Sequence, residues 1–302
     1  MPAMRNSKAV RGVGANMAEN TNVPTVSLSA GSETVEMPQL GFGVWQVEDD
    51  QAADAVREAI KVGYRSIDTA KVYENEAGTG AAIASADVPR RDIFLTTKVW
   101  NEDQGYEATK KAFDASIERL GGKDAVEPLD LYLIHWPTPE KDTYVETFKA
   151  MLELRDAGRV RAVGVCNFEP EHLQRLKDET GEFPAINQVE LHPKFQQKAV
   201  RDFCSANGIA VEAWSPLGQG GDILTNPVLD GIAERLGKTV AQVIIRWHLQ
   251  IGNVVIPKSV TPSRIAENFD VFDFELTEDD LFAISDLDSS DGRIGPRPND
   301  FN

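Results

Sequence analysis

The chain is expected to fold as an α/β protein, a (β/α)8 TIM barrel with an N-terminal β-hairpin and two extra helices. Three observations predict this. From about residue 40, short β-branched runs alternate with longer stretches of helical periodicity, the pattern of βα units around a parallel sheet, and the runs number eight. The 302 residues suffice for a barrel of about 250 residues with insertions on top. No Pro/Gly/Ser linker or low-complexity segment divides the sequence, so residues 23–302 are expected to form a single (β/α)8 domain.

The elements follow in order. TVSLS and ETVEM flank AGS and read as a hairpin able to plug one barrel end. The strands are then LGFGV (40–44), SIDTA (66–70), IFLTTKV (93–99), LDLYLIH (129–135), VRAVGVCN (160–167), INQVEL (186–191), IAVEAW (209–214) and NVVIP (253–257). Between them lie helical segments such as DQAADAVREAIKVG, EATKKAFDASIERLG and YVETFKAMLELRDAG, closed by glycines after basic last turns as helix ends often are. TVAQVIIRWHLQIG before the eighth strand and TEDDLFAISDL after it exceed the basic plan. The closing SSDGRIGPRPNDFN holds glycines and prolines that forbid a helix and is expected to act as a lid or rim.

Composition narrows the function. With 31 basic and 48 acidic residues the net charge is -17, which disfavours nucleic acid, because phosphate backbones require a basic footprint. No apolar run approaches the roughly 20 residues needed to cross a bilayer. Residues 1–22 lack an apolar signal core and are expected to be a loose tail, with Met17 a possible second start. Cys166 and Cys204, without CxxC spacing, indicate neither a disulfide framework nor a zinc site. A cytoplasmic monomer that binds no metal, membrane or nucleic acid is the expectation.

Polar residues at the C-terminal ends of barrel strands face one shared basin. Strand two ends at Asp68 with Tyr73 in its loop, strand three near Lys98, and strand four at His135. Each has an ordinary alternative: Asp68 a helix cap, Tyr73 a half-buried packing residue, His135 a satisfied core histidine. Lys98 resists one, since an ammonium on so apolar a strand needs a partner, and Asp68 is the natural one. Together the four make a proton-transfer site, suited to protonating a carbonyl oxygen while a hydride reaches carbon. Lys98 is expected to lower the phenol's pKa from its ordinary value near 10; a shift of about three units takes roughly 4 kcal/mol.

A hydride needs a donor. Gly41-Phe42-Gly43 begins a dinucleotide fingerprint, but Gln46 holds the third glycine position, and Gly231 to Thr239 is one residue too long for a P-loop. Barrels instead place anions in the loops after strands seven and eight. SPLGQGGD offers Gly218, Gly220 and Gly221 for close backbone approach. IPKSVTPSRIAEN gathers Lys258, Ser259, Val260, Thr261 and Arg264 at a helix start.

The ordered motifs DTAKVYENE, LTTKVW, LIHWP, GVCNF, INQVELHP, WSPLGQG and IPKS closely resemble the aldo-keto reductase superfamily, from about residue 24 to the C-terminus. The resemblance implies NADPH-dependent carbonyl reduction, with Tyr73 as general acid, Lys98 and Asp68 tuning it, and His135 orienting the substrate. It assigns Asn167 and Gln188 to the nicotinamide carboxamide, Trp214 to stacking on its ring, and Ser215, Leu217 and Gln219 to the pyrophosphate. It places Lys258, Ser259 and Arg264 on the 2′-phosphate, Glu267 and Asn268 near adenine, and Trp45, Trp100 and Trp136 along an apolar substrate cleft. Cys166 stands where the family usually has serine, which weakens one contact to the carboxamide. Trp214 in place of tyrosine, with the short RIGPRPNDF tail, is similar to the bacterial branch that includes 2,5-diketo-D-gluconate reductases. Two competing readings are a Schiff-base lyase with Lys98 as nucleophile and a nucleotide-binding barrel without turnover.

Overall fold

The computed structural model describes residues 23–302; the tail expected over 1–22 lies outside them. Strands β1 (Thr25–Ala30) and β2 (Glu33–Pro38) pair antiparallel from Thr25↔Pro38 to Ala30↔Glu33. That register leaves Gly31-Ser32 as the turn, with Gly31 at φ 67, a left-handed conformation that glycine takes without a Cβ penalty.

The eight strands that follow are parallel and neighbour one another in chain order: β3 (Phe42–Gly43), β4 (Ser66–Asp68), β5 (Phe94–Val99), β6 (Leu129–Ile134), β7 (Val160–Cys166), β8 (Ile186–Glu190), β9 (Ala210–Trp214) and β10 (Val254–Val255). Leu40 bridges Val255 in parallel, and Gly41 N–H donates to Val255 O at 2.9 Å while Val255 N–H donates to Gln39 O at 2.9 Å. These bonds join the two ends of the sheet and close the barrel. The strands β3 and β10 are shorter than their apolar runs because they flank this seam, where the ladder reduces to single bridges.

Helices α1 (Asp49–Val62), α2 (Glu76–Ala84), α3 (Tyr106–Arg119), α4 (Lys123–Val126), α5 (Tyr144–Asp156), α6 (Pro170–Thr180), α7 (Lys198–Ala206), α8 (Pro227–Leu236), α9 (Val240–Gln250), α10 (Pro262–Phe269) and α11 (Glu278–Ser285) fill the crossovers and the C-terminal part. α1 shows how they are built: Ala52, Ala55, Val56, Ala59 and Ile60 recur at helical spacing and are buried, while its charged residues face out. The two helices expected beyond the basic plan are α9 and α11, and both open with a capping box, Thr239 with Gln242 and Thr277 with Asp280. The near match to a P-loop runs from the middle of α8 to the N-cap of α9, so it is helical sequence and not a phosphate loop. Among the described residues no helix is long and apolar enough to cross a membrane.

The hairpin plugs the barrel end away from the strand C-termini. Leu28, Val35 and Met37 join Phe94, Leu131, Ile186 and Val254, from the early parts of four strands, in one buried cluster. Each such side chain contributes about 1.5–3 kcal/mol when fully buried. The plug excludes water from the floor and leaves the other end open for a ligand.

Close backbone approach outside the barrel is as strict. A Cβ on Gly80 of α2 would lie 2.1 Å from Leu120 O and 2.5 Å from its carbonyl carbon. Overpacking of this kind costs roughly 1–3 kcal/mol, more than the helix propensity of about 1 kcal/mol that alanine adds. Gly80→Ala is therefore expected to lower the thermal unfolding midpoint by several degrees; an unchanged or raised midpoint would contradict this packing.

Candidate active site

The open end carries a cleft of about 1060 Å³, and a buried polar cluster forms its floor. Lys98, on β5, is fully buried. Its ammonium donates to Asp68 Oδ1 at 2.6 Å, Thr69 O at 2.9 Å and Tyr73 Oη at 3.2 Å, so three oxygens take its three donors. Burial works against the charge, but the Asp68 carboxylate, with Tyr73, outweighs it and holds the lysine pKa above its ordinary value. Asp68 therefore serves this pair, not a helix cap. A Schiff-base nucleophile needs a neutral, accessible amine, and Lys98 is neither.

Tyr73 ends a 3-10 turn, Lys71–Tyr73, and Glu74 after it adopts φ 58. Asn75 fixes this loop from beneath: its amide donates to Val44 O and Val47 O at 2.9 and 2.8 Å and its oxygen accepts from Thr69 Oγ1 at 2.7 Å. Lys98 acts on the phenol in the expected direction, but the expected net fall in its pKa is corrected here. Burial raises it, the Lys98 charge opposes that and the Asp68 charge adds to it, with a net rise. Tyr73 thus keeps its proton firmly at neutral pH. His135 packs edge-on to both Tyr73 and Trp100, with centroids 5.6 and 5.1 Å apart. Burial first, and then the Lys98 charge, push its pKa well down, so the imidazole is neutral at pH 7.

Strands β7, β8 and β9 bring a second set of groups to the same level. Cys166, Gln188 and Glu212 are register neighbours across the three strands. Gln188 Nε2 donates to Asp68 Oδ2 at 2.9 Å and to Glu212 Oε2 at 2.7 Å, and Cys166 Sγ lies 3.8 Å from Gln188 Oε1. Cys166 and Lys98 stand behind the cleft wall, and Gly218 and Gly221 lie off it while Gly220 lines it; the other expected site residues line it. Asn167, at φ 63, donates to His135 O at 3.0 Å and accepts from Trp214 Nε1 at 2.8 Å, which ties the indole to the rim of the basin.

One half of the cleft is aromatic, with Trp45, Trp100 and Trp136 on its wall. Phe301 completes it, 4.6 Å from Trp136 and 6.3 Å from Trp100 between centroids, so the C-terminal segment forms a rim as expected. Its only regular piece is a 3-10 turn, Pro298–Asp300. Buried Glu190 anchors the segment by accepting from the backbone N–H of Ile294 at 2.6 Å and of Gly295 at 2.7 Å. A Cβ on Gly295 would come within 2.6 Å of the Trp214 ring, so glycine lets the chain pass over that indole.

The other half is the groove between the loops after β9 and β10. Ser215 and Gln219 take φ 48 and 55, strained values for non-glycine residues that concentrate at functional sites; Leu217 stands between them on the wall. Ser259 Oγ accepts from Thr261 N–H at 3.1 Å, shaping the turn into α10, and Val260 is exposed beside it. Lys258 and Arg264 are exposed and form no ion pair among the described residues, which leaves both free for an anion at a helix N-terminus. Asn268 is buried, and Glu267 accepts from Thr239 Oγ1 at 2.9 Å. Sequence reasoning missed Glu190, Glu212 and Phe301. Only Phe301 had a signal, its place in a segment read as a rim.

A closed (β/α)8 barrel that joins a phenol–ammonium–carboxylate cluster to an anion-ready groove is the frame of a barrel oxidoreductase. The chain belongs to the aldo/keto reductase family, whose model matches residues 38–289. It is 57% identical to an aldo-keto reductase of Mycolicibacterium smegmatis over 279 residues, 92% of this chain and 98% of that one. It is 50% identical to the methylglyoxal reductase DkgA of Escherichia coli over 266 residues, 88% and 94% of the two chains. A Gox0644 variant solved in complex with NADPH superposes with a TM-score of 0.87 at 48% identity, covering 93% of this chain and 99% of that one. The expected bacterial branch is represented by a structure provisionally named 2,5-diketo-D-gluconic acid reductase B, with a TM-score of 0.82 at 34% identity over 90% and 95% of the chains.

The cluster makes a stability prediction. Asp68→Asn leaves the Lys98 ammonium buried without a counter-charge, which costs about 3–5 kcal/mol, and adding Lys98→Met should recover much of the loss. Urea unfolding measures both; an Asp68→Asn midpoint equal to that of the wild type would contradict the pairing.

Proposed function

We propose that the protein is an NADPH-dependent aldo-keto reductase that reduces the carbonyl of an aldehyde, ketone or keto-sugar, acting as a cytoplasmic monomer. The observation that carries this is the Tyr73 hydroxyl, 3.2 Å from a lysine fixed by Asp68, at the floor of a cleft that continues into the Lys258 and Arg264 groove. The relatives named for methylglyoxal reduction and the NADPH complex support the same reading.

NADPH, when bound, supplies the hydride that reaches the carbonyl carbon. Tyr73 donates its proton to the carbonyl oxygen as charge builds there, which yields the alcohol. Its raised pKa keeps that proton in place beforehand. The Lys98 ammonium then faces the phenolate at hydrogen-bond distance and stabilises it as it forms, a preorganised electrostatic contribution that water would not match. Asp68 keeps Lys98 charged and aimed. Neutral His135, its Nδ1 buried without a partner, offers Nε2 to orient the carbonyl. The tryptophans and Phe301 exclude water from the reacting group.

Residues of the groove fit the cofactor. Trp214, held by its bond to Asn167, would present a face to the nicotinamide. Gln188 gives both amide hydrogens to carboxylates, so Oε1 is what it can offer a carboxamide, and Asn167 stands beside it. Ser215, Leu217 and Gln219 would border the pyrophosphate. Lys258, Ser259 and Arg264, with the Val260–Thr261 backbone, would meet the 2′-phosphate, and Glu267 and Asn268 the adenine.

Tyr73→Phe is expected to slow carbonyl reduction by a factor of roughly 10²–10⁴, read as NADPH absorbance loss with a panel of aldehydes, while NADPH binding followed by fluorescence stays close to wild type. Reduction at the wild-type rate would remove Tyr73 as the acid. Charge-assisted hydrogen bonds are worth about 1.5–3 kcal/mol each, so Lys258→Ala or Arg264→Ala should each weaken NADPH binding at least about tenfold and leave NADH binding nearly unchanged. Equal wild-type affinities for NADPH and NADH would contradict the phosphate assignment.

A further inference from the structure

Glu212 is an acid that the chemistry above does not use. It sits in the middle of β9 with zero exposure. Its Oε2 accepts from Gln188 Nε2 at 2.7 Å, and its Oε1 is buried with no partner. The same Gln188 nitrogen donates to Asp68 Oδ2 at 2.9 Å, so one amide bridges two carboxyl groups. The ionisable groups bearing on Glu212 are Asp68 of β4, Lys98 of β5 and Cys166 of β7, and its register neighbour on β10, Val254, is apolar.

The charge count decides its state. Two buried carboxylates would share one ammonium, and an ionised Glu212 would also leave a charged oxygen without a donor, a cost that a neutral carboxyl largely avoids. We propose that Glu212 is a positioning residue: protonated, it takes one hydrogen of the Gln188 amide while Asp68 takes the other, which fixes the direction of that amide and keeps a second negative charge away from the Tyr73–Lys98 pair. Burial, and then the Asp68 charge, push the Glu212 pKa up to about 8, in agreement with the geometry.

The functional consequence rests on the reductase reading. When Glu212 ionises, its charge opposes the negative charge that Tyr73 acquires on giving up its proton. Wild-type kcat/KM for aldehyde reduction should therefore fall as pH rises through about 8, by about tenfold for an interaction worth one pK unit. A second consequence does not depend on catalysis. The folded chain retains a proton that the unfolded chain loses near pH 4.5, so Glu212 makes the protein progressively less stable as pH rises from there to about 8.

The test compares wild type, Glu212→Gln and Glu212→Leu. Glutamine keeps an acceptor for Gln188 and cannot ionise; leucine removes the acceptor. Carbon-13 NMR of the glutamate carboxyl groups in the free protein should show one wild-type signal titrating near pH 8 that Glu212→Gln lacks. The pH profile of NADPH-dependent reduction should lose its step near 8 in Glu212→Gln, and NADPH KM at pH 6 should rise more in Glu212→Leu than in Glu212→Gln. The proposal is overturned if no wild-type glutamate titrates above pH 6, a result that needs no folded variant, or if the activity step survives in Glu212→Gln. A wild type that does not oxidise NADPH with any aldehyde would instead sink the reductase reading, while the NMR titration would still report the state of Glu212.

Discussion

Lys98 carries its charge into the barrel with no exposure, and the 2.6 Å contact with Asp68 on the neighbouring strand is what makes that tolerable. An unpaired ammonium at this depth would lose its proton or unfold the site. The pair in turn dictates its surroundings. Thr69 O and Tyr73 Oη complete the lysine's donors, Gln188 satisfies the second Asp68 oxygen, and Asn75 clamps the loop that delivers Tyr73. A parallel barrel suits this arrangement, because its strand ends bring Asp68 of β4, Lys98 of β5 and Gln188 of β8 to one level, with Tyr73 supplied by the loop after β4.

Two further buried acids extend the design outwards. Glu212 closes the polar row behind Gln188, and Glu190, two residues beyond Gln188 on β8, ties down the C-terminal segment. Alternation along the strand points both Gln188 and Glu190 into the basin, so one strand bears on the buried polar cluster and on the rim.

Much of this was legible in the residues. Eight apolar runs at regular spacing fixed the count of strands, and the polar residues that end them marked Asp68, Lys98 and His135, since the C-terminal ends of barrel strands border one common basin. The loops after β9 and β10 were legible from glycines and cations in the same way. Glu190 and Glu212 were not, because within a strand an acid carries no mark of whether it faces solvent, a backbone donor or another side chain. The direction of the Tyr73 pKa was also misjudged: the nearby charge was visible in the sequence, but the burial that outweighs it depends on Lys98, Cys166 and the barrel floor closing around the phenol.

The central claim is that Lys98 stabilises the negative charge left on Tyr73 when its proton goes to the carbonyl. The most direct test is the single-turnover rate of NADPH oxidation by an aldehyde in Lys98→Met, which keeps the length of the side chain and removes its charge. The account predicts a fall of roughly 10²–10³, the scale seen when one preorganised donor is removed, with NADPH still bound. A Lys98→Met enzyme that turns over at the wild-type rate would contradict it.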